Sequence, residues 1–347
     1  MNYEKLTVLA HTDYMIDVSE RRSWGEHRVL EERHLPTLRA GGVDIICDHV
    51  GGRTKMFSTF PIKKMLSYAD SMERALYGVD CMRQEVEEST AKIKLIERFD
   101  DIKALKEQNK LGLVLCLQGG SPIKEDVSLL RIFYRLGIRC MHLTANVRNQ
   151  ISDSCTDRNA GGLTHFGVEV VHEMNRIGMV IDVAQLSHKG CLDVLEMTTA
   201  PVIASNSNAR ALCNHPRNLE DEVIELIGKT GGVVCIHCLP TFLKSEGKVT
   251  IDEMVNHIDH IVDLIGTDHV GIGPDLLENW PKEKHDKIWG TQELSGKKVE
   301  FEYPEGFRSI KDIPNLQSAL LSSGYSNSDV SKILGQNLLR VFHDAWK

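Results

Sequence analysis

Eight short runs of Val, Ile and Leu recur along the chain, and each is followed by polar residues and then by a stretch with helical spacing. This alternation limits the fold more than any other feature. The runs cover residues 6–10, 43–47, 112–117, 139–144, 179–184, 202–205, 232–237 and 269–273. Strands that are apolar at nearly every position have no solvent face, so they belong to a parallel sheet covered on both sides. Parallel neighbours need crossover connections, and the segments between the runs read as helices. Residues 166–177 place Val170, Val171, Met174 and Ile177 on one face, and residues 252–265 do the same with Met254, Ile258, Ile261 and Ile265. Asp221 and Asp252 stand near helix starts, and Gly178 and Gly266 follow helix ends. Eight such units close into an α/β fold of the (β/α)8 TIM barrel type.

The 347 residues and 41% apolar content suffice for one large core, so the whole chain, 1–347, is expected to be a single barrel domain. Residues 278–314 are polar and aperiodic and are expected to form a loop over the barrel mouth, followed by a C-terminal helix at about 327–346. The chain carries 49 acidic and 41 basic residues, a net charge of −8 with no basic stripe, which argues against a nucleic-acid partner. It has no apolar run long enough for a membrane span, and MNYEKLTVLAHTD lacks the features of a signal peptide, so a cytoplasmic location with no membrane partner is expected. Its nine cysteines sit mostly in apolar stretches such as LVLCLQ and VVCIHCLP, which points to buried thiols. Cys116, Cys235 and Cys238 in particular read as core residues, because no partnered base accompanies them.

In such a barrel the C-terminal ends of the strands build the site. Here they deliver His11 and Asp13, Asp48 and His49, Gln118, Ala145 and Asn146, Gln185, Asn206, His237 and Asp275. Any strand can end on a polar residue where it meets solvent, but this many together point to a functional site. His11-Thr12-Asp13 suits a metal ion, since alternate residues of a strand end face the same way and imidazole plus carboxylate suits Zn²⁺. Two ligands are not enough, and the amides of Gln118, Asn146, Gln185 and Asn206 are poor zinc ligands. Asp275 reads as a third ligand, a general base or a loop cap. Arg217 reads either as a bidentate anchor for a substrate carboxylate or as the ion-pair partner of Glu220 or Asp221. Asp48-His49, followed by Gly51-Gly52, reads as an acid–base pair, as replacement ligands, or as a turn.

The stretches GGLTHFGVEVVHEMNRIGMVIDVAQLSHKG, PVIASNSNARALCNHPRNLEDEVIELIGKTGGVV, DHVGIGPDLLE and LGQNLLRVF resemble, in that order, the bacterial branch of the renal (membrane) dipeptidase family, peptidase M19. The resemblance runs from His11 to Phe342. It implies a homodimeric dinuclear zinc hydrolase acting on dipeptides, often tolerant of D-residues at the C-terminal side. It also implies that His11 and Asp13 are a remnant metal pair. Gln118 stands where the family has the Glu that bridges the two zinc ions, Gln185 and Asn206 where it has His ligands, and Ala145 where some members have a catalytic His. Arg217 matches the Arg that holds the substrate carboxylate, and Asp275 the Asp beside the metal-bound water.

Two divalent ions bring four positive charges, against which the inherited positions offer only the carboxylates of Asp13 and Asp275. Uncompensated charge in a partly desolvated pocket costs several kcal/mol per ion, roughly. The expectation is therefore a degenerate centre with no cofactor, or at most one weakly bound zinc. Three functions remain open on the sequence. The first is binding of a small carboxylate-bearing, amino-acid- or dipeptide-like molecule through Arg217, with Asn146, Gln118, Gln185 and Asn206 lining the pocket and metal-independent acid/base chemistry by Asp275, His11, Asp48 and His49. The second is a mononuclear zinc hydrolase in which His49 or His237 joins His11, Asp13 and Asp275. The third is a non-catalytic ligand-binding protein.

Overall fold

The computed structural model describes residues 5–51, 70–103, 105–276, 278 and 303–347. Nine strands form one parallel sheet: β1 (Val8–Thr12), β2 (Ile45–Gly51), β3 (Ile93–Leu95), β4 (Leu111–Gln118), β5 (Ile138–His142), β6 (Val180–Asp182), β7 (Ile203–Ala204), β8 (Val233–Ile236) and β9 (Val270–Ile272). Neighbouring strands run in the order β2-β1-β9-β8-β7-β6-β5-β4, and β2 pairs with β4 from Ile45↔Gly112 to Gly51↔Gln118, which closes an eight-stranded barrel. The eight runs of the sequence are these eight strands. The ninth, β3, lies beside the first half of β4, from Ile93↔Leu111 to Leu95↔Leu113. It has only three residues and one of them is a lysine, so its apolar signal is weak.

The crossover helices follow the expected periodicity. His165–Ile177 is capped by the Thr164 side chain and ends on Gly178 in the left-handed region, while Ile251–Ile265 begins with a Thr250/Glu253 capping box. Their buried residues join a core between sheet and helices that includes Val170, Met174, Ile258 and Ile261. A second core fills the barrel, with Ala10, Cys47, Cys116, Cys140 and Cys235 among its side chains. None of the nine cysteines is paired, and eight of them are buried.

The C-terminal segment differs from one continuous helix. Asn327–Ser331 and Asn337–Ala345 flank a wider turn, Lys332–Gln336. The chain there passes so close to the Leu6 carbonyl that a Cβ on Gly335 would lie 2.0 Å from its oxygen. Asn337 then anchors the second helix by donating to the Thr267 and Val270 carbonyls at 2.7 and 2.8 Å. This helix lies across the N-terminal end of the barrel, where Arg340 reaches the Gly231 and Asp268 carbonyls ahead of β8 and β9. The opposite end is left for the site. Of the polar stretch 278–314, residues 279–302 lie outside the described residues, as does Gly52. Its last part is not loop but a short 3-10 turn, Ile310–Asp312, leading into the helix Ile313–Ser322. Among the described residues no helix is long and apolar enough to cross a membrane.

One glycine fixes how the strands that carry the site approach each other. A Cβ on Gly273 would lie 1.6 Å from the Ser205 carbonyl oxygen, so only a residue without a side chain lets the end of β9 pass the end of β7. Gly273→Ala is expected to lower stability by about 1–3 kcal/mol through overpacking, read as a lower urea midpoint with unchanged slope. An unaltered midpoint would show that the two strand ends can separate at no cost.

Candidate functional site

The side chains that the sequence places past the strands converge on one end of the barrel. Asp48 of β2 accepts from the Tyr14 and Met15 backbone N–H groups at 2.8 and 2.9 Å and from the Thr12 hydroxyl at 2.8 Å. It thus caps the helix Tyr14–Ser23, for which Asp13 provides no side-chain cap, and Asp13 is left to face the site. Burial pushes the Asp48 carboxyl up to about 8, against the three hydrogen bonds that favour its charged form. With both oxygens engaged at a helix start, Asp48 supports the scaffold, and the structure does not bring it together with Asp275.

The upper layer of the site is built on His11, Asp13 and Asp275. His11 Nε2 lies 3.7 Å from Asp13 Oδ1 and 3.7 Å from Asp275 Oδ1. His237 Nε2 is 3.2 Å from Asp275 Oδ2, and Asn206 donates its amide N–H to the same oxygen at 3.0 Å. Burial would raise the Asp275 carboxyl, but His11, His237 and Arg217 hold it below the ordinary carboxylate range. Asp13 moves the other way, because burial and the neighbouring Asp275 charge both favour its protonated form. Burial lowers both His11 and His237, partly offset by Asp275. Ligand atoms of His11, Asp13 and Asp275 all lie within 4.8 Å of one another.

Below it lies a second layer, of which the sequence names His11 and His49 but not His142 and Asp182. His49 stacks on His11 with ring centroids 3.8 Å apart, and His142 lies 5.2 and 4.8 Å from His11 and His49. These three rings form a second group whose ligand atoms lie within 4.8 Å of one another. Asp182 sits beneath them with Oδ2 2.6 Å from His142 Nε2, and its Oδ1 accepts from the Ala184 and Ser205 backbone N–H groups at 3.0 and 3.1 Å. Burial would raise the Asp182 carboxyl, yet His142, Ser205 and Ala184 bring it below its usual value. The Ser205 hydroxyl lies 3.1 Å from His11 Nδ1 and 2.9 Å from His142 Nε2, joining the two layers. His142, Asp182 and Ser205 stand inside otherwise apolar runs. That was the available signal: a charged or imidazole side chain within a fully buried strand requires a partner.

Arg217 and the amides complete the mouth. Arg217 is 4% exposed, its Nη1 has no hydrogen-bond partner among the described residues, and its guanidinium lies 5.3 Å over the Phe242 ring. Neither acid near it in sequence is its partner, because Glu220 pairs with Arg210 at 2.7 Å and Asp221 with His260 at 2.9 Å. With Gln185 it lines a cavity of about 340 Å³ that also touches Ser154, Cys155 and Lys189. Gln118 Oε1, Asn146 Oδ1, Gln185 Oε1 and Asn206 Oδ1 are buried and likewise without partners among the described residues. Asn146, Gln185 and Asp275 all have left-handed backbone, with φ of 56°, 68° and 57°. Such conformations cost of order 1–3 kcal/mol each in ordinary residues and gather where a side chain must be aimed. Ala145 is buried against Gly119, where a Cβ would come 2.9 Å from its own.

Known proteins share this sequence pattern and this fold. Dipeptidase tcpJ of Claviceps purpurea (strain 20.1) is 30% identical over 277 residues, covering 79% of this chain and 60% of that protein. Dipeptidase 3 of Macaca fascicularis is 32% identical over 279 residues, covering 79% and 52%. The chain thus spans little more than half the length of these curated relatives. A metallo peptidase from Rhodobacter sphaeroides, solved with a phosphinate mimic of the dipeptide L-Ala-D-Ala, shares the fold with a TM-score of 0.82 at 19% identity, over 98% of this chain and 99% of that one. The sequence profile of the membrane dipeptidases (peptidase family M19) matches residues 4–286 and 299–347, and the chain belongs to that family.

Proposed function

We propose that this protein binds a small amino-acid- or dipeptide-like molecule by its carboxylate, on Arg217, at a site that does not carry the family's pair of zinc ions. The observation that carries the reading is the buried guanidinium of Arg217, with Nη1 unpartnered and no ion pair to either nearby acid. Asp275 and Asp182 offset its charge from a distance, but a buried guanidinium without a direct ion pair is costly, and a bidentate carboxylate is the partner that its planar fork fits. The four free amide oxygens supply acceptors for a ligand's ammonium or amide N–H groups. A solved relative holds a dipeptide mimic, which is the ligand class proposed here.

The residues present do not fit two zinc ions. Gln118, Gln185 and Asn206 are neutral amides at the positions the family resemblance gives to ligands, and Asn206 turns its N–H rather than a lone pair toward Asp275. No step is therefore derived through such a pair. What this chain's own groups supply is proton movement. His237, kept neutral by burial and 3.2 Å from Asp275, is the base, and Asp275, held ionised between His11, His237 and Arg217, stabilises the imidazolium that forms. Those groups suit an elimination, isomerisation or lyase step on an amino-acid-like substrate.

L-Ala-D-Ala is expected to raise the melting temperature while its C-terminal amide does not, and Arg217→Ala should weaken binding of the acid at least tenfold. Equal effects of acid and amide, or unchanged affinity in the variant, would refute the carboxylate assignment. Restoring charge and imidazole with Gln118→Glu, Gln185→His and Asn206→His together is expected to add zinc uptake relative to the parent chain, measured by elemental analysis after desalting. No gain would show that the amides are not what limits metal binding.

A further inference from the structure

We propose that a single late first-row divalent cation, Zn²⁺ in the first instance, binds in the lower layer of the site on His11, His49 and His142, with Asp182 orienting His142. The proposal does not rest on the carboxylate reading, because Arg217 and the mouth amides take no part in it.

Three rings from β1, β2 and β5 meet in the barrel interior, each at most 1% exposed. One nitrogen of each lies within 4.8 Å of the other two. Among the described residues His11 Nε2, both ring nitrogens of His49 and Nδ1 of His142 make no well-formed hydrogen bond. A single buried imidazole nitrogen without a partner already costs about 1–3 kcal/mol, and native proteins rarely tolerate one. Such atoms on all three touching rings point to a common partner that accepts one lone pair from each.

The surroundings prepare the rings for ligation. Asp182 is fixed by two backbone N–H groups and places Oδ2 2.6 Å from His142 Nε2, a proximity that favours the hydrogen of a neutral His142 on Nε2 and the lone pair on Nδ1. A carboxylate behind a histidine is the usual device for setting tautomer and ring orientation at a metal. Ser205 extends the pattern to His11. Its hydroxyl lies 3.1 Å from His11 Nδ1 and 2.9 Å from His142 Nε2, and by accepting from His11 Nδ1–H it would leave the lone pair of His11 on Nε2. Neutral imidazoles select zinc, nickel, copper or cobalt over magnesium and calcium, and Asp182 with Asp275 nearby offsets the charge of one ion, not of two. His11 and His49 are stacked within 20° of parallel, so the His49 ring must turn for its nitrogen to face the ion. Turning breaks no well-formed hydrogen bond, only a weak contact with the Thr12 backbone, and Zn–N bonds of about 2.0–2.1 Å then need the rings to close by roughly 1 Å.

The test uses the full chain, stripped with chelator and desalted, and titrated with Co²⁺ and Zn²⁺ alone. One equivalent of Co²⁺ is expected to bind with the visible bands of a low-symmetry, nitrogen-rich site, and X-ray absorption of the Zn²⁺ form is expected to show three nitrogen ligands. His49→Gln and His142→Gln should each weaken Zn²⁺ binding at least tenfold, and Asp182→Asn about tenfold, with folding checked by circular dichroism. Asp13→Asn should weaken it less than either histidine variant. No uptake, unchanged affinity in the histidine variants, or a larger loss in Asp13→Asn overturns the proposal, the last by placing the ion in the upper layer. If a variant fails to fold, the nitrogen count of the unaltered chain decides. Ligand binding by Arg217 is measured separately on stripped protein, so failure of one reading is distinct from failure of the other.

Discussion

The closing pairing of β2 with β4, seven residue pairs from Ile45↔Gly112 to Gly51↔Gln118, is the constraint on which the rest depends. A closed parallel barrel has no edge strand and brings every strand end to one rim, so residues 11 to 275 in the chain become neighbours. It also leaves an interior that only side chains can fill. Toward the N-terminal end that filling is apolar and thiol-rich, with Cys47, Cys116, Cys140 and Cys235 under the C-terminal helix. Toward the rim it becomes polar in two steps, first the histidine layer over Asp182 and then the carboxylates and amides beneath Arg217.

Polar groups at such depth are costly unless each is paired, and the pairing here is uneven in an informative way. Asp48 accepts through both oxygens, and Asp182 through Oδ1, from fixed backbone N–H groups, which marks them as supports, although Asp182 Oδ2 makes no well-formed hydrogen bond among the described residues. The groups nearer the rim are the ones left with unused capacity: the histidine nitrogens, the amide oxygens and the guanidinium. The same contrast separates Asp13 from Asp275, since one carboxyl is driven toward its neutral form and the other held ionised by the cations around it. Environments that push two adjacent carboxyls apart are those in which proton transfer and cation binding take place.

The sequence made the barrel legible because strands buried on both faces have to be apolar throughout, and their spacing survives any change in chemistry. The rim was legible for the same reason, as polar residues just past each run. Asp48 and His49 are adjacent in sequence but point to different tasks, because successive strand residues face opposite ways: Asp48 turns to the helix start and His49 to the barrel axis. His142 and Asp182 were read as strand because only closure of the barrel puts them side by side. The break at Gly335 was likewise hidden, since its cause is the carbonyl of Leu6, more than three hundred residues away in the chain.

The central claim is that this family member has exchanged a dinuclear zinc site for one with different charge and donors. The most direct measurement is the number of zinc ions retained per chain by elemental analysis, after purification without chelator, saturation with Zn²⁺ and desalting. The account predicts no more than one. Two tightly held ions per chain, accompanied by dipeptide hydrolysis, would contradict it and would mean that the amides of Gln118, Gln185 and Asn206 can serve where charged and imidazole ligands were expected.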